Sequence, residues 1–160
     1  MVWSYGQAAD AGWLESLDQH FDNPNLFDKN WYDLNDIFSS ARSFPIWNDG
    51  ESYVMSITAE AQTMFANQNM LDAIGANVPT TFDELLETGK KLKNDDHAGV
   101  AMRSKADGSA GTWPCGGFVF SNGGVVMDNG VCVLDSAEAI EAVQYYGQIL
   151  NEAGPLGVGN

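Results

Sequence analysis

The alternation of apolar and polar positions is clearest from Phe65 to Leu92, which encodes two amphipathic helices around a short break. From Asn67 to Ile74 the apolar Met70, Leu71 and Ile74 share a face, and Gly75 supplies a left-handed stop. Pro79 cannot continue a helix, and Thr81 with Glu84 three residues later has the form of a capping box. Phe82, Leu85, Leu86 and Leu92 then recur near a 3.6-residue period. Lys90, Lys91 and Lys93 fall in the last turn, where the helix dipole favours positive charge. A third helix is expected after Asp135, capped by that residue with Glu138 three on. Its buried stripe is Ile140, Val143, Tyr146 and Leu150, and Gly154-Pro155 ends it.

Elsewhere the periodicity is shorter. Met1 to Tyr5 reads as the end of a buried strand, and Gln7 to Asp10 leads into a short helix carrying Trp13, Leu14 and Leu17. His20 to Asn35 is rich in Asp and Asn and is read as a loop with a short helix under Phe21, Phe27, Trp31 and Tyr32. A calcium loop from Asp28 fails, since its sixth position is not glycine and Ser39 stands where a bidentate glutamate belongs. An extended piece from Phe44 to Trp47 precedes Asn48-Asp49-Gly50, a hairpin signal. Gly99 to Arg103 reads as a short strand and Lys105 to Gly111 as a polar loop. Phe118 to Phe120 continues a buried element, and a hairpin turns at Asp128-Asn129-Gly130.

Composition narrows the classes. At 160 residues, 44% apolar, with eight Phe, five Tyr and five Trp, the chain can bury a core. No apolar run approaches the ~20 residues of a membrane span. Seven basic residues against 22 acidic ones leave a net charge of -15, which repels phosphate backbones and excludes nucleic acid as a partner. Cys115 and Cys132 lack metal spacing, so either one disulfide or two buried thiols are expected. No phosphate-binding loop, dinucleotide fingerprint, HExxH or GxSxG is present, and His20 and His97 are far apart. No cofactor and no metal are expected.

Several phrases together resemble the extracellular solute-binding proteins of ABC importers, in the sugar-binding branch that includes maltose-binding proteins. They are Gly12-Trp13-Leu14 with Leu17-Asp18, Asp49-Gly50 with Tyr53, and Ala59-Glu60-Ala61. Phe65-Ala66-Asn67 is followed by Gly75 and then Pro79 to Leu86. Thr112-Trp113-Pro114, Asn122-Gly123-Gly124 and the long run from Asp135 to Gly157 complete the set. Gln68 replaces the family's usual lysine, Phe82 its tryptophan, and Met55-Ser56 stands where a proline is usual. The likeness covers nearly all of the chain but only the middle of a typical family member.

The resemblance implies an α/β, periplasmic-binding-protein-like (type II) two-lobed fold, only partly represented. Residues 1–54 are then a remnant of the N-terminal lobe with the first crossover, and 55–160 the first segment of the C-terminal lobe. It implies a binding protein, not an enzyme, that captures a carbohydrate or similar small solute and delivers it to ABC permease subunits in the membrane. Glu60 would accept ligand hydroxyls, Trp113 would stack on the sugar, and Gln62 and Tyr5 would neighbour the cleft. Ser109 would contribute through its loop. Such a protein works in the periplasm or outside the cell, in some cases lipid-anchored, and Met1 is not followed by an export signal. A fragment with open sheet edges is expected to form a homodimer. The alternatives are a small acidic α/β hydrolase-type enzyme, marked by paired carboxylates in a pocket, and a non-binding interaction fragment.

Overall fold

The computed structural model describes residues 5–105 and 111–156. Compactness divides the chain into two units, Met1–Ala61 and Gln62–Asn160. Residues 53–67 form one irregular stretch without helix or strand.

The first unit consists of short helices joined by turns: α1 (Tyr5–Asp10), α2 (Asp18–Phe21), α3 (Lys29–Tyr32), a 3-10 helix (Leu34–Asp36) and α4 (Ser39–Ser43). Trp47 anchors α1. Its indole lies where any side chain on Gly6 would stand, and its ring N–H donates to the Asp10 carboxylate at 2.6 Å. Tyr5 packs 5.4 Å from Phe44 and edge-on 5.6 Å from Trp47. Phe21, Phe27 and Tyr32 form a second aromatic cluster, with centroids 4.9 and 5.1 Å apart. The Asn48-Asp49-Gly50 turn is present, with Gly50 at φ 87°. It closes a single antiparallel bridge, Ile46 to Ser52, and no longer ladder.

Two expectations fail here. Tyr5 opens a helix instead of ending a strand, and residues 1–4 lie outside the described ones. Trp13, Leu14 and Leu17 are not helical, because Gly12 at φ 69° terminates α1. The Trp13 N–H returns to the Ala8 carbonyl and the Gly12 N–H to that of Ala9, both at 2.9 Å, the paired bonds of a Schellman stop. Trp13 is left 80% exposed.

The second unit holds α5 (Gln68–Ala73), α6 (Phe82–Leu92), α7 (Thr112–Ser121), β1 (Met127–Asp128), β2 (Val131–Cys132) and α8 (Ala137–Glu152). The Asn67 side chain caps α5, and Gly75 at φ 64° stops it with the same pair of bonds as α1. Pro114 sits in the first turn of α7, where its missing N–H leaves no gap. Asn129 and Gly130, at φ 47° and 81°, form the primed turn that joins β1 to β2. That hairpin pairs Met127 with Cys132 and Asp128 with Val131.

Helix α8 packs on α6 and α7. Leu86, Ile149 and Ala153 form one buried cluster, and Val119, Ala139 and Ala142 another. Phe118 packs against both. The buried line of α8 is therefore Ala139, Ala142 and Ile149. The expected stripe is rotated outward, with Ile140 47% and Val143 46% exposed. The small alanines admit the end of α7: a side chain on Gly124 would stand 3.2 Å from the Ala139 nitrogen. The cap also moves by one residue, since the Ser136 hydroxyl, not Asp135, accepts the Ala139 N–H at 3.3 Å. Gly99 to Arg103 is not a strand, because the N–H groups of Gly99 and Val100 both turn to the Ala153 carbonyl (2.9 and 3.0 Å). Phe118 to Phe120 is helical, and Phe120 faces outward. The two cysteines are free thiols, Cys115 half-buried and Cys132 exposed, so neither expected state is found.

Candidate functional site

In the first unit, the chain after α4 folds back to make a recess of about 240 Å³. Ser40, Ala41 and Phe44 form one side, and Ser56, Thr58 and Glu60 the other. The Ser56 hydroxyl donates to the Ala41 carbonyl at 2.8 Å, and the Tyr32 hydroxyl to the Ser56 carbonyl at 3.0 Å. Tyr5 does not line the recess. Its hydroxyl donates to the Phe44 carbonyl at 2.5 Å and so holds the aromatic wall. Glu60 is exposed, and no hydrogen bond or ion pair with a described residue occupies its carboxylate. The recess thus offers an aromatic face, hydroxyls and an open carboxylate, the groups that bind a small polyhydroxylated solute.

The second unit carries a groove of about 1020 Å³. Residues 62–67 and 98–102 run along it, and Leu85, Leu92, Val100, Met102 and Phe118 are among its lining residues. Phe82 stacks on Phe118 at 4.6 Å, and its other neighbour is Tyr145 at 5.5 Å. The Tyr145 hydroxyl donates to the Asp83 carboxylate at 2.6 Å, a bond that pushes the phenol above its ordinary range. Asn122 donates to the Glu141 carboxylate at 3.0 Å. Gln62 reaches α7 at Gly117, where an added side chain would meet its oxygen at 2.9 Å. Trp113 lies one turn earlier on α7, 39% exposed, and is not part of the groove lining. Ser109 lies outside the described residues.

The structure therefore sets Tyr5 against Phe44 and places Glu60 with Phe44 in the recess, and it brings Gln62 and Trp113 to neighbouring turns of α7. Phe44, Ser56 and Thr58, which line the recess with Glu60, were not singled out from sequence. Among the described residues no cluster of His, Cys, Asp and Glu could hold a metal ion, and no helix is long and apolar enough to cross a membrane.

The family model described as bacterial extracellular solute-binding protein matches residues 1–159. Among solved structures, the chain is similar to an ABC transporter solute-binding protein from Agrobacterium radiobacter K84, in complex with ribitol. The TM-score is 0.73 at 23% identity, so the likeness is one of fold. It covers 98% of this chain and 39% of that one, and this chain accordingly spans well under half of that protein. No curated protein matches.

Proposed function

The chain belongs to the bacterial extracellular solute-binding protein family, and from that membership we propose that it serves an ABC-type importer by capturing a carbohydrate or polyol. The family match over residues 1–159 carries this proposal. Proteins of this family bind and release; they make and break no covalent bond in their solute. The Glu60 recess supports a hydroxylated ligand, since its chemistry is aromatic, hydroxyl and carboxylate. The solute-binding protein similar in fold has ribitol bound, which makes small polyols the first class to test. In the first unit Glu60 then accepts solute hydroxyls; in the second, Trp113 is the candidate stacking face and Gln62 the candidate amide. Tyr5 acts by holding Phe44. The working protein is periplasmic or extracellular, lipid-anchored in some settings, and presents its solute to permease subunits. A permease distinguishes loaded from empty protein only if the solute binds one conformation more tightly than another.

The test is a thermal-shift series of the chain against ribitol, other polyols, and mono- and oligosaccharides. A solute that binds only the folded state adds about 2.7 kcal/mol at a hundredfold excess over Kd. One of these solutes is expected to raise Tm saturably, and Glu60→Gln is expected to weaken it by roughly 10- to 100-fold, as for loss of a hydrogen bond to a charged group. Trp113→Ala tests the stacking role separately. A panel in which no solute shifts Tm would remove the polyol and carbohydrate assignment.

A further inference from the structure

Two asparagines in the chain stand directly before a glycine, Asn122 and Asn129. A glycine has no Cβ to shield its backbone nitrogen, so that nitrogen can reach the side-chain carbonyl carbon of the asparagine before it. What holds the two groups decides whether it does. Asn122 caps the end of α7 and is half-buried. Its amide donates to the Glu138 carbonyl at 2.9 Å and to the Glu141 carboxylate at 3.0 Å, both on α8. The Gly123 N–H donates to the Phe120 carbonyl at 3.2 Å. Freeing this pair means parting α7 from α8 and opening the cluster of Val119, Ala139 and Ala142. Asn129 is held by much less. Its amide donates to the carboxylate of the adjacent Asp128 at 3.0 Å, and both residues are exposed. Among the described residues, no hydrogen bond takes the Gly130 N–H. The turn rests on two residue pairs, Met127 with Cys132 and Asp128 with Val131, all exposed. So short a ladder buries little and opens locally at small cost.

We propose that Asn129 is a site of spontaneous covalent modification, deamidation through a succinimide, and that the fold protects Asn122 from the same reaction. The Gly130 nitrogen gives up its proton to solvent base and attacks the Asn129 side-chain carbonyl carbon. A C–N bond forms, the side-chain nitrogen leaves as ammonia with a proton from water, and a five-membered imide closes. Water then opens the ring at either carbonyl and leaves aspartate or isoaspartate at position 129. The sum is one water consumed and one ammonia released, with nothing oxidised or reduced. Either product puts a carboxylate beside Asp128 in place of a neutral amide, on a chain of net charge -15. Isoaspartate also runs the main chain through its own side-chain carbons, which adds a methylene to the turn. The primed turn needs Asn129 and Gly130 at φ 47° and 81°, so the longer backbone breaks the pairing of β1 with β2. The reaction is independent of the solute.

The test is incubation of the whole folded chain at mildly alkaline pH, with samples taken over time for mass spectrometry. Cyanogen bromide cleavage at Met127, in acid that halts the reaction, puts the two Asn-Gly sites on separate peptides. Conversion of an amide to a carboxyl adds about one dalton, and electron-transfer fragmentation tells isoaspartate from aspartate. The Asn129 peptide is expected to convert at least roughly ten-fold faster than the Asn122 peptide, following the ease of local opening. In concentrated urea the two rates are expected to come together, because both asparagines precede glycine and the contacts with α8 are gone. Equal rates in the folded chain, faster conversion of Asn122, or no conversion of Asn129 would overturn the proposal. So would a ratio that persists unchanged in urea, which would trace the difference to neighbouring sequence and not to the fold.

Discussion

Thr81 and Glu84 illustrate how closely local chemistry is set at a helix start. The Thr81 hydroxyl accepts the Glu84 N–H at 3.2 Å, as a capping box requires. The return bond is displaced by one residue: Glu84 accepts from the N–H and hydroxyl of Thr80, at 2.7 and 2.9 Å. Thr81→Ala is expected to lower stability by about 1 kcal/mol in urea unfolding. The Thr80 backbone and hydroxyl bonds hold the Glu84 carboxyl below its ordinary value of 4.5. A group whose folded pKa is depressed contributes fully above the unfolded value, and that contribution is lost as pH falls through the folded one. The urea midpoints of the chain and of Glu84→Gln should therefore differ at neutral pH and converge as pH drops below 4.5. A constant gap across that range would exclude the Thr80 bonds as its source.

Between elements, α6 comes close to the end of α8. A methyl on Gly89 would lie 2.7 Å from the Ala153 methyl and 2.8 Å from a Val100 methyl, and one on Gly99 would run into the Gly89 carbonyl. Gly89→Ala is thus an overpacking substitution, expected to cost about 1–3 kcal/mol. Gly147, inside α8, has nothing within 4 Å of the corresponding position. There the helix propensity of alanine acts alone, and Gly147→Ala is expected to stabilise by about 0.5–1 kcal/mol. Equilibrium unfolding of the two variants side by side checks the contact, because propensity alone would stabilise both.

For the molecule as a whole, charge dominates. Lys29 pairs with Asp22, and Lys90 with Glu87 and Glu152, all at exposed positions where such pairs contribute little, and the acidic excess of -15 remains. Self-repulsion of this kind weakens a compact state and is screened by salt. The Debye length falls from about 10 Å at 0.1 M to about 3 Å at 1 M. Raising sodium chloride over that range is expected to raise Tm, and calorimetry showing a flat or falling Tm would mean that the acidic groups are not a net cost to folding.

Caps and turns were legible because their chemistry is contained within a few neighbouring residues. Gly75 at the end of α5, Thr81 ahead of α6, and Asn129-Gly130 all form the local structures expected of them. The family was legible too, from phrases spread along the chain, and so was the α/β solute-binding fold that the phrases implied. The failures have a different origin. Ile140 and Val143 are as apolar as Ile149, yet which line of α8 is buried depended on Ala139 and Ala142 admitting Val119 and Gly124 from α7. Gly99 to Arg103 has a strand's composition, but Ala153, distant in sequence, takes two of its N–H groups. Tyr5 was expected to neighbour the cleft, and packing sets its hydroxyl on the Phe44 carbonyl. Glu60 acquired its neighbours Ser40 and Phe44 by the same route, when the chain after α4 folded back on that helix. Hydrogen bonds within a turn need only the residues beside them, whereas burial and the making of a recess need surfaces from distant parts of the chain.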